Sequence, residues 1–229
     1  MQSTPERIVF DLHSEPVRFL RTRDPKFSDL IDLVGPVSLD LRGTPYSALV
    51  RSIVGQQISG TAAASIWRKL EGRCGAVTPE RVSSIDDQEL RAAGLSRPKV
   101  AYLRDLTGRV VSREIDLDAL PAMSEEDLVK SLTAIHGIGV WTAQMFMIFC
   151  LGRLDVFAPK DLGLRAGIKW LYGLPAMPAE KESMERAEVW RPYRTVASLY
   201  LWQAVTRKLV VSQDPPTASQ HPPKDTPQT

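Results

Sequence analysis

The segment HGIGVWTAQMFMIF, from His136 to Phe149, decides the fold of this chain. Gly137 and Gly139 flank one isoleucine; the charged segment EEDLVKSLTAI precedes them, and an uncharged apolar run follows. The preceding segment predicts a helix from about Glu125 to Ala134, and the apolar run predicts a second helix that begins at Val140. Two helices joined by so short a glycine turn form a helix–hairpin–helix pattern.

The glycine turn predicts an anion site. Glycine reaches positive φ and permits close approach, so the N–H groups of the turn and the unpaired donors of the second helix can point at one phosphate. A dinucleotide-binding turn is disfavoured because no third glycine follows and the preceding segment is helical. The glycines alone are equally compatible with a tight connection in a helical bundle, and both interpretations stay open at this point.

The composition is that of a globular protein with an ordinary core. The 229 residues are 43% hydrophobic and 24% charged, and the net charge of +2 is too small to indicate a nucleic-acid partner by itself. Cys74 and Cys150 are the only cysteines, which excludes a four-cysteine zinc or iron–sulfur site and indicates a reducing cytoplasm. Without a signal-peptide core or a run long enough to cross a bilayer, no membrane role is expected.

The apolar residues between Pro45 and Val210 recur every three or four positions, and no long alternating pattern predicts a large sheet. The predicted fold class is therefore mainly α. We expect residues 1–45 to form an N-terminal segment packed on a main domain at 46–211. Residues 212–229 are rich in Pro, Thr and Gln, which predicts a flexible tail.

Three linked motifs carry a resemblance to a known family. The segment LTAIHGIGVWTAQMFMIFCLGRLDVFAPKDLGLRAG, with IVGQQIS upstream and WRPYRTVASLYLW downstream, resembles the helix–hairpin–helix DNA glycosylase superfamily, in particular bacterial 3-methyladenine DNA glycosylases of the AlkA type. The resemblance covers about Tyr46 to Val205, and it implies that the N-terminal segment at residues 1–45 is a shortened form of the domain that often begins these proteins. It implies two helical lobes around a cleft, with the hairpin at its rim.

The function implied by this resemblance is base excision repair. A monofunctional glycosylase of this type flips out an alkylated base, such as 3-methyladenine or 7-methylguanine, and releases it by hydrolysis to leave an abasic site. The implied partner is double-stranded DNA with a damaged base. We expect a monomer that acts in the cytoplasm, associated with the nucleoid if the source is bacterial.

The resemblance assigns the catalytic carboxylate to Asp161 in APKDLGLR, about twenty residues after the hairpin. Positive charge builds on the deoxyribose as the glycosidic bond breaks, and a carboxylate at about 4 Å and an effective dielectric near 20 stabilises it by about 4 kcal/mol. That is about three powers of ten in rate. Asp161 is also suited to cap a helix that begins at Leu162, and the two roles can coexist.

The resemblance also assigns residues that hold the base and the DNA. Glycosylases that also cut the backbone carry a lysine nucleophile where this chain has Trp141, so a water-using enzyme is expected. The base pocket is assigned to Trp141, Met145 and Trp202, which core packing would also explain. Gln57, with Ile58, is assigned to the gap left by the flipped base; the alternative is a polar helix surface.

Phosphate contacts are assigned mainly to the hairpin. The residues expected to bind DNA phosphate are His136, Gly137, Ile138, Gly139, Lys160 and Arg165. No cofactor is expected for the chemistry, and no iron–sulfur cluster. In the family, hairpin carbonyls hold a monovalent cation, so we expect Na⁺ or K⁺ on the carbonyls of Thr133, Ile135 and Ile138.

Three rival functions remain. A glycosylase for oxidised or mismatched bases would need specific polar recognition that the sequence does not reveal. A non-catalytic helix–hairpin–helix DNA-binding protein would use the hairpin alone, and replacing Asp161 with Asn would cost it no activity. A helical enzyme for small molecules would show no salt-dependent affinity for DNA.

Overall fold

The computed structural model describes residues 7–212, which fall into two compact units. One unit, here called the hairpin unit, is Leu41–Gly152. The other, here called the aspartate unit, combines Arg7–Asp40 with the chain from Arg153 onward. This division differs from the predicted boundaries, because the N-terminal segment joins the C-terminal part of the chain. Most of the tail predicted at 212–229 lies outside the described residues.

Helices and turns alternate along most of the described chain. The aspartate unit begins with β1 (Arg7–Phe10), α1 (Glu15–Arg23), α2 (Pro25–Val34) and β2 (Val37–Asp40). The hairpin unit contains α3 (Pro45–Gly55), α4 (Gly60–Cys74), α5 (Pro79–Ser84), α6 (Asp87–Ala92), α7 (Arg97–Val111), α8 (Glu125–Thr133) and α9 (Val140–Phe149). The aspartate unit is completed by α10 (Leu162–Tyr172), α11 (Glu180–Ala187), α12 (Arg194–Thr206) and α13 (Leu209–Ser212).

The mainly helical class predicted from the sequence is confirmed. Within residues 7–212 the sheet structure is one antiparallel pair, β1 with β2, in which Arg7 lies opposite Asp40. The Arg7 guanidinium binds the Asp40 carboxylate across this pair at 2.5 Å. None of the described helices is both long enough and apolar enough to cross a lipid bilayer.

Helix ends follow the local capping chemistry. The hydroxyl groups of Ser59, Ser96 and Ser124 cap α4, α7 and α8 by accepting a backbone N–H three residues further on. Gly75 and Gly173 end α4 and α10 with positive φ. These local contacts define the ends of the four helices.

The apolar residues at 46–72 recur with the spacing of one continuous helix, but the structure has two helices there. The spacing continues through IVGQQIS, but α3 ends at Gly55 and α4 begins at Gly60. Gln57 between them has φ of 56°, in the left-handed region that non-glycine residues seldom adopt. The turn between α3 and α4 therefore contains the residues for which the sequence predicted a wedge.

Two close contacts organise the aspartate unit. A Cβ atom at Gly167 of α10 would lie 3.0 Å from the Leu201 Cβ of α12, so the glycine lets these helices approach closely. The loop before α10 is held by Arg194, which is 2% exposed and whose Nε lies 2.6 Å from Asp155 Oδ1. Together these contacts fix α10 at its side and through the loop that leads to it.

Candidate functional site

The hairpin has the predicted form. Helix α8 ends at Thr133 and α9 begins at Val140, close to the predicted bounds. Gly137 has φ of 83°, and a Cβ atom there would lie 2.3 Å from the Tyr102 ring. Only glycine fits both the conformation and the space. Gly139 is different, because a Cβ atom there would meet nothing within 4 Å.

Contacts from distant parts of the hairpin unit hold the turn. The backbone N–H of His136 donates to the Asp105 carboxylate of α7 at 2.7 Å. The side-chain amide of Gln56 donates to the Gly137 carbonyl at 2.7 Å. Burial alone would raise the pKa of the Asp105 carboxyl, but hydrogen bonds from His136 and Arg109 outweigh it and lower the pKa. Asp105 therefore anchors the turn as a carboxylate.

Sequence reasoning missed both anchors. Gln56 neighbours the predicted wedge in GQQIS, and that adjacency was the one signal that could have found it. Asp105 lies 31 residues from His136 in the sequence. In the sequence alone, an aspartate on α7 looks like any solvent-exposed residue of a helix. Lys99 of α7 is buried and donates to the Val54 carbonyl at 2.8 Å, so its ammonium is a poor candidate for phosphate binding. Burial lowers the pKa of this ammonium.

The predicted phosphate ligands lie in different surroundings. His136 and Gly139 are exposed, whereas the Ile138 side chain is 4% exposed, so Ile138 can offer only its backbone. Lys160 and Arg165 belong to the aspartate unit. Lys160 is exposed, and Arg165 uses its Nε to bind the Pro178 carbonyl at 2.8 Å.

A cation in the hairpin would rest on backbone carbonyls. Among residues 7–212 no cluster of three or more His, Cys, Asp or Glu side chains could hold a metal ion. The Gly137 carbonyl faces Gln56, and the Ile135 carbonyl accepts the Ile138 N–H at 3.1 Å while keeping a second lone pair. The chemistry of these oxygen donors fits a hard monovalent cation, with Thr133, Ile135 and Ile138 remaining the predicted ligands.

The hairpin unit contains a cavity of about 890 Å³. Trp141 and Met145, predicted for the base pocket, both line it, and so does Gln57. The Trp141 side chain is 44% exposed, so it is available to a ligand. Cys150 also lines the cavity, and burial raises the pKa of its thiol to about 11, which leaves the thiol protonated at neutral pH.

Basic side chains and aromatic rings meet at the same cavity. The Arg42 guanidinium lies 4.4 Å from the centre of the Phe149 ring, and both residues line the cavity. Arg51 also lines it and lies 3.7 Å from the centre of the Trp67 ring. Apolar faces and positive charge together suit a nucleotide, in which an aromatic base is joined to an anionic phosphate.

In the aspartate unit, Asp161 caps α10, as predicted. Its Oδ1 atom accepts the backbone N–H of Leu164 at 2.9 Å. The same oxygen accepts the indole N–H of Trp202 at 3.0 Å. Sequence reasoning assigned Trp202 to the base pocket and missed this bond, which joins residues 41 positions apart.

Comparisons with known proteins agree with this description. Residues 50–192 match the model of the HhH-GPD superfamily base excision DNA repair proteins. DNA-3-methyladenine glycosylase 1 of Schizosaccharomyces pombe is 32% identical over 94% of this chain and 96% of its own. The crystal structure of a DNA-3-methyladenine glycosidase from Bacillus halodurans superposes with a TM-score of 0.84 at 37% identity, over 90% of this chain and 96% of that one.

A second similar structure contains DNA. The Schizosaccharomyces pombe 3-methyladenine DNA glycosylase Mag1, in complex with abasic DNA, has a TM-score of 0.72 and 29% identity, over 84% of this chain and 97% of that one. The resemblance stated from the sequence is therefore confirmed. Because the family match extends over more than half of the chain and includes both the hairpin and Asp161, the chain belongs to the HhH-GPD superfamily of base excision DNA repair proteins.

Proposed function

We propose that this protein is a monofunctional DNA glycosylase that excises alkylated bases by hydrolysis. The observation that carries the proposal is the carboxylate of Asp161, which is held at the start of α10 by two hydrogen bonds. The names of the similar proteins, DNA-3-methyladenine glycosylases, support the substrate class. Excision of oxidised or mismatched bases remains the alternative.

The proposed reaction replaces the bond between C1′ and the base with a bond between C1′ and a water oxygen, and the water loses a proton. The bond between C1′ and the base breaks, its electron pair leaves with the base, and positive charge develops on the sugar. Water then adds to C1′ and gives up a proton. The Asp161 carboxylate stabilises the positive charge by about 4 kcal/mol at a separation of about 4 Å. It can also orient the water or accept its proton.

Selectivity follows from the charge of the damaged base. An alkylated base such as 7-methylguanine carries positive charge, which makes it a good leaving group and attracts it to an aromatic face. Exposure of Trp141 and the position of Met145 on the same cavity support their assignment to the base pocket. Because Trp141 replaces the lysine nucleophile of the lyases, hydrolysis is the proposed route.

DNA binding is proposed for the hairpin and its neighbours. The N–H groups at the start of α9 and the exposed His136 would bind phosphate, with support from Lys160 and Arg165. A Na⁺ or K⁺ ion on the hairpin carbonyls would add positive charge at the same place. We also propose that the protein acts as a monomer in the cytoplasm.

The turn between α3 and α4 would fill the gap left by the flipped base. Gln57 and Ile58 are both exposed on this turn, and the 38% exposure of Ile58 is high for an apolar residue. Backbone strain at Gln57 costs of the order of 1–3 kcal/mol and tends to occur at functional sites. Anchoring of the neighbouring Gln56 to the hairpin supports a shared role in DNA binding.

The test is base release from duplexes that each carry one lesion. The panel contains 3-methyladenine, 7-methylguanine, 1-methyladenine, hypoxanthine and 8-oxoguanine, incubated with the purified protein. We expect release of 3-methyladenine and 7-methylguanine, with abasic DNA as the product and no backbone cleavage. Release of 8-oxoguanine alone would overturn the alkylation assignment. Absence of release from every duplex would favour a non-catalytic DNA-binding protein.

A further inference from the structure

We propose that Trp202 is a positioning residue for Asp161 and that Gly163 keeps open the space in which the two side chains meet. The inference rests on the proposed function, because it concerns the carboxylate to which that function assigns the chemistry. It gives Trp202 a role besides the base contact expected from the sequence. The role is to hold the carboxylate in one direction before the substrate arrives.

Two donors from two different helices hold the same oxygen atom. The Leu164 N–H of α10 reaches Asp161 Oδ1 at 2.9 Å, and the Trp202 Nε1–H of α12 reaches it at 3.0 Å. One hydrogen bond would leave the carboxylate able to rotate about it. A second bond from another direction fixes the plane of the group and therefore the direction of Oδ2.

The indole is well suited to this role. Its N–H group is a donor only, so it can neither accept a proton from water nor compete with Asp161 as a base. A hydrogen bond to an ionised acceptor is also stronger than one between neutral groups. A carboxylate that is already oriented needs no rearrangement when positive charge develops on the sugar, which is the condition for efficient electrostatic stabilisation.

Two glycines of α10 bring the indole close enough. A Cβ atom at Gly163 would lie 3.1 Å from Asp161 Oδ1 and 3.3 Å from Trp202 Cδ1, both tight contacts. A Cβ atom at Gly167 would lie 3.0 Å from the Cβ of Leu201, the residue before Trp202. The glycines therefore permit the close crossing of α10 and α12 that delivers the N–H group to the carboxylate.

The test measures how well the protein distinguishes two abasic-site analogues that lack a base. One duplex carries a cationic pyrrolidine in place of the damaged nucleotide, and the other carries neutral tetrahydrofuran. The ratio of their dissociation constants reports the interaction of the carboxylate with positive charge at the sugar. Stacking of Trp202 on a base cannot contribute, because neither analogue has one.

We expect the wild-type protein to prefer the cationic analogue and Asp161→Asn to lose that preference. Trp202→Phe keeps an aromatic ring but removes the donor, and it should reduce the preference about tenfold. The readout is the ratio of the two dissociation constants, because a general loss of DNA affinity would leave that ratio unchanged. If Trp202→Phe discriminates as well as the wild type, the positioning role is wrong. If the wild type itself does not discriminate, the proposed function of Asp161 fails first.

A second variant keeps the inference testable if Trp202→Phe does not fold. Gly163→Ala leaves both Asp161 and Trp202 in place and introduces the Cβ atom that presses on them. It should also reduce the preference for the cationic analogue. The matched control is Gly108→Ala in α7, where a Cβ atom would meet nothing within 4 Å, and it should leave the preference unchanged. A full preference in Gly163→Ala would contradict the inference.

Discussion

Two helices of this protein begin in opposite ways. Helix α9 begins at Val140, and the residue that precedes it, Gly139, has no side chain to accept the first N–H groups of the helix. Helix α10 begins at Leu162, and the residue that precedes it, Asp161, has a carboxylate that accepts the Leu164 N–H. Both ends carry the partial positive charge of a helix N-terminus. We propose that the start of α9 leaves this charge for an external anion, whereas the start of α10 satisfies it with the carboxylate of Asp161.

The difference shows how one backbone geometry can serve opposite charges. DNA presents anionic phosphates, whereas the sugar becomes cationic as the base leaves. A helix start without a capping side chain suits the phosphate, and a helix start with a fixed carboxylate suits the cation. We therefore propose that the N-cap residue decides the role of each of these two helices. Substitutions at these positions can break or sharpen the contrast.

The largest effect is expected for Asp161→Asn. Asparagine caps helices as well as aspartate does, so the protein should stay folded while the rate of base release falls about a thousandfold. The comparison is with Asp86→Asn, since Asp86 caps α6 by accepting the Glu89 N–H at 2.8 Å and has no proposed catalytic role. Single-turnover assays should show a loss at Asp161 and none at Asp86. Equal rates in the two variants would remove the proposed role of Asp161.

Gly137→Ala should have the next largest effect. Alanine is strained at φ of 83°, and its Cβ atom would lie 2.3 Å from the Tyr102 ring. We expect the free energy of unfolding to fall by about 3 kcal/mol, together with weaker DNA binding. Gly139→Ala is the control, because its backbone and its surroundings both accept a methyl group. Denaturant titration of both variants tests the difference, and similar losses would show that the turn does not depend on Gly137.

Gly139→Asp would give α9 the kind of start that α10 has. The new carboxylate should stabilise the helix by about 1 kcal/mol and repel phosphate, so that affinity for undamaged DNA falls about tenfold. Gly139→Ser supplies a neutral cap at the same place and separates capping from charge. DNA titrations at two salt concentrations measure both effects. An unchanged affinity in Gly139→Asp would mean that phosphate does not bind at this helix end.

The smallest effect concerns the anchor of the turn. The pKa of Asp105 is lowered in the folded protein, so its contribution to stability is present above the ordinary value of 3.8 and is lost as the pH falls below it. The carboxylate is 27% exposed, which limits this contribution to a few tenths of a kcal/mol. The melting temperature should fall less between pH 6 and pH 3 in Asp105→Asn than in the wild type. An identical fall in both proteins would contradict the anchoring role.

A feature could be predicted from the sequence when the residues that form it lie close together in the chain. The hairpin helices and the cap at Asp161 depend on residues a few positions apart, so local patterns revealed them. The break at Gln57 was not predicted, because the apolar period continues across it. Gln56 lies 81 positions from Gly137, whose carbonyl it binds, and only its place beside the predicted wedge hinted at this contact.

The N-terminal segment belongs to the same unit as the C-terminal part of the chain because of contacts between residues that are far apart in the sequence. Asp24 caps α2 and also accepts the indole N–H of Trp190 at 3.2 Å, and its carboxylate binds the Tyr172 hydroxyl. These partners lie far along the chain and bind one buried side chain. The sequence shows an aspartate before a proline, which predicts a cap but not its distant partners.

The contrast between the two helix starts is tested most directly by single-turnover base release at increasing protein concentration. One such series gives both the rate at saturation and the concentration needed for half of it. Asp161→Asn should lower the saturated rate about a thousandfold and leave the half-saturating concentration unchanged. Gly139→Asp should raise the half-saturating concentration about tenfold and leave the saturated rate unchanged. If both variants changed the same quantity, the assignment of opposite charges to the two helix starts would be wrong.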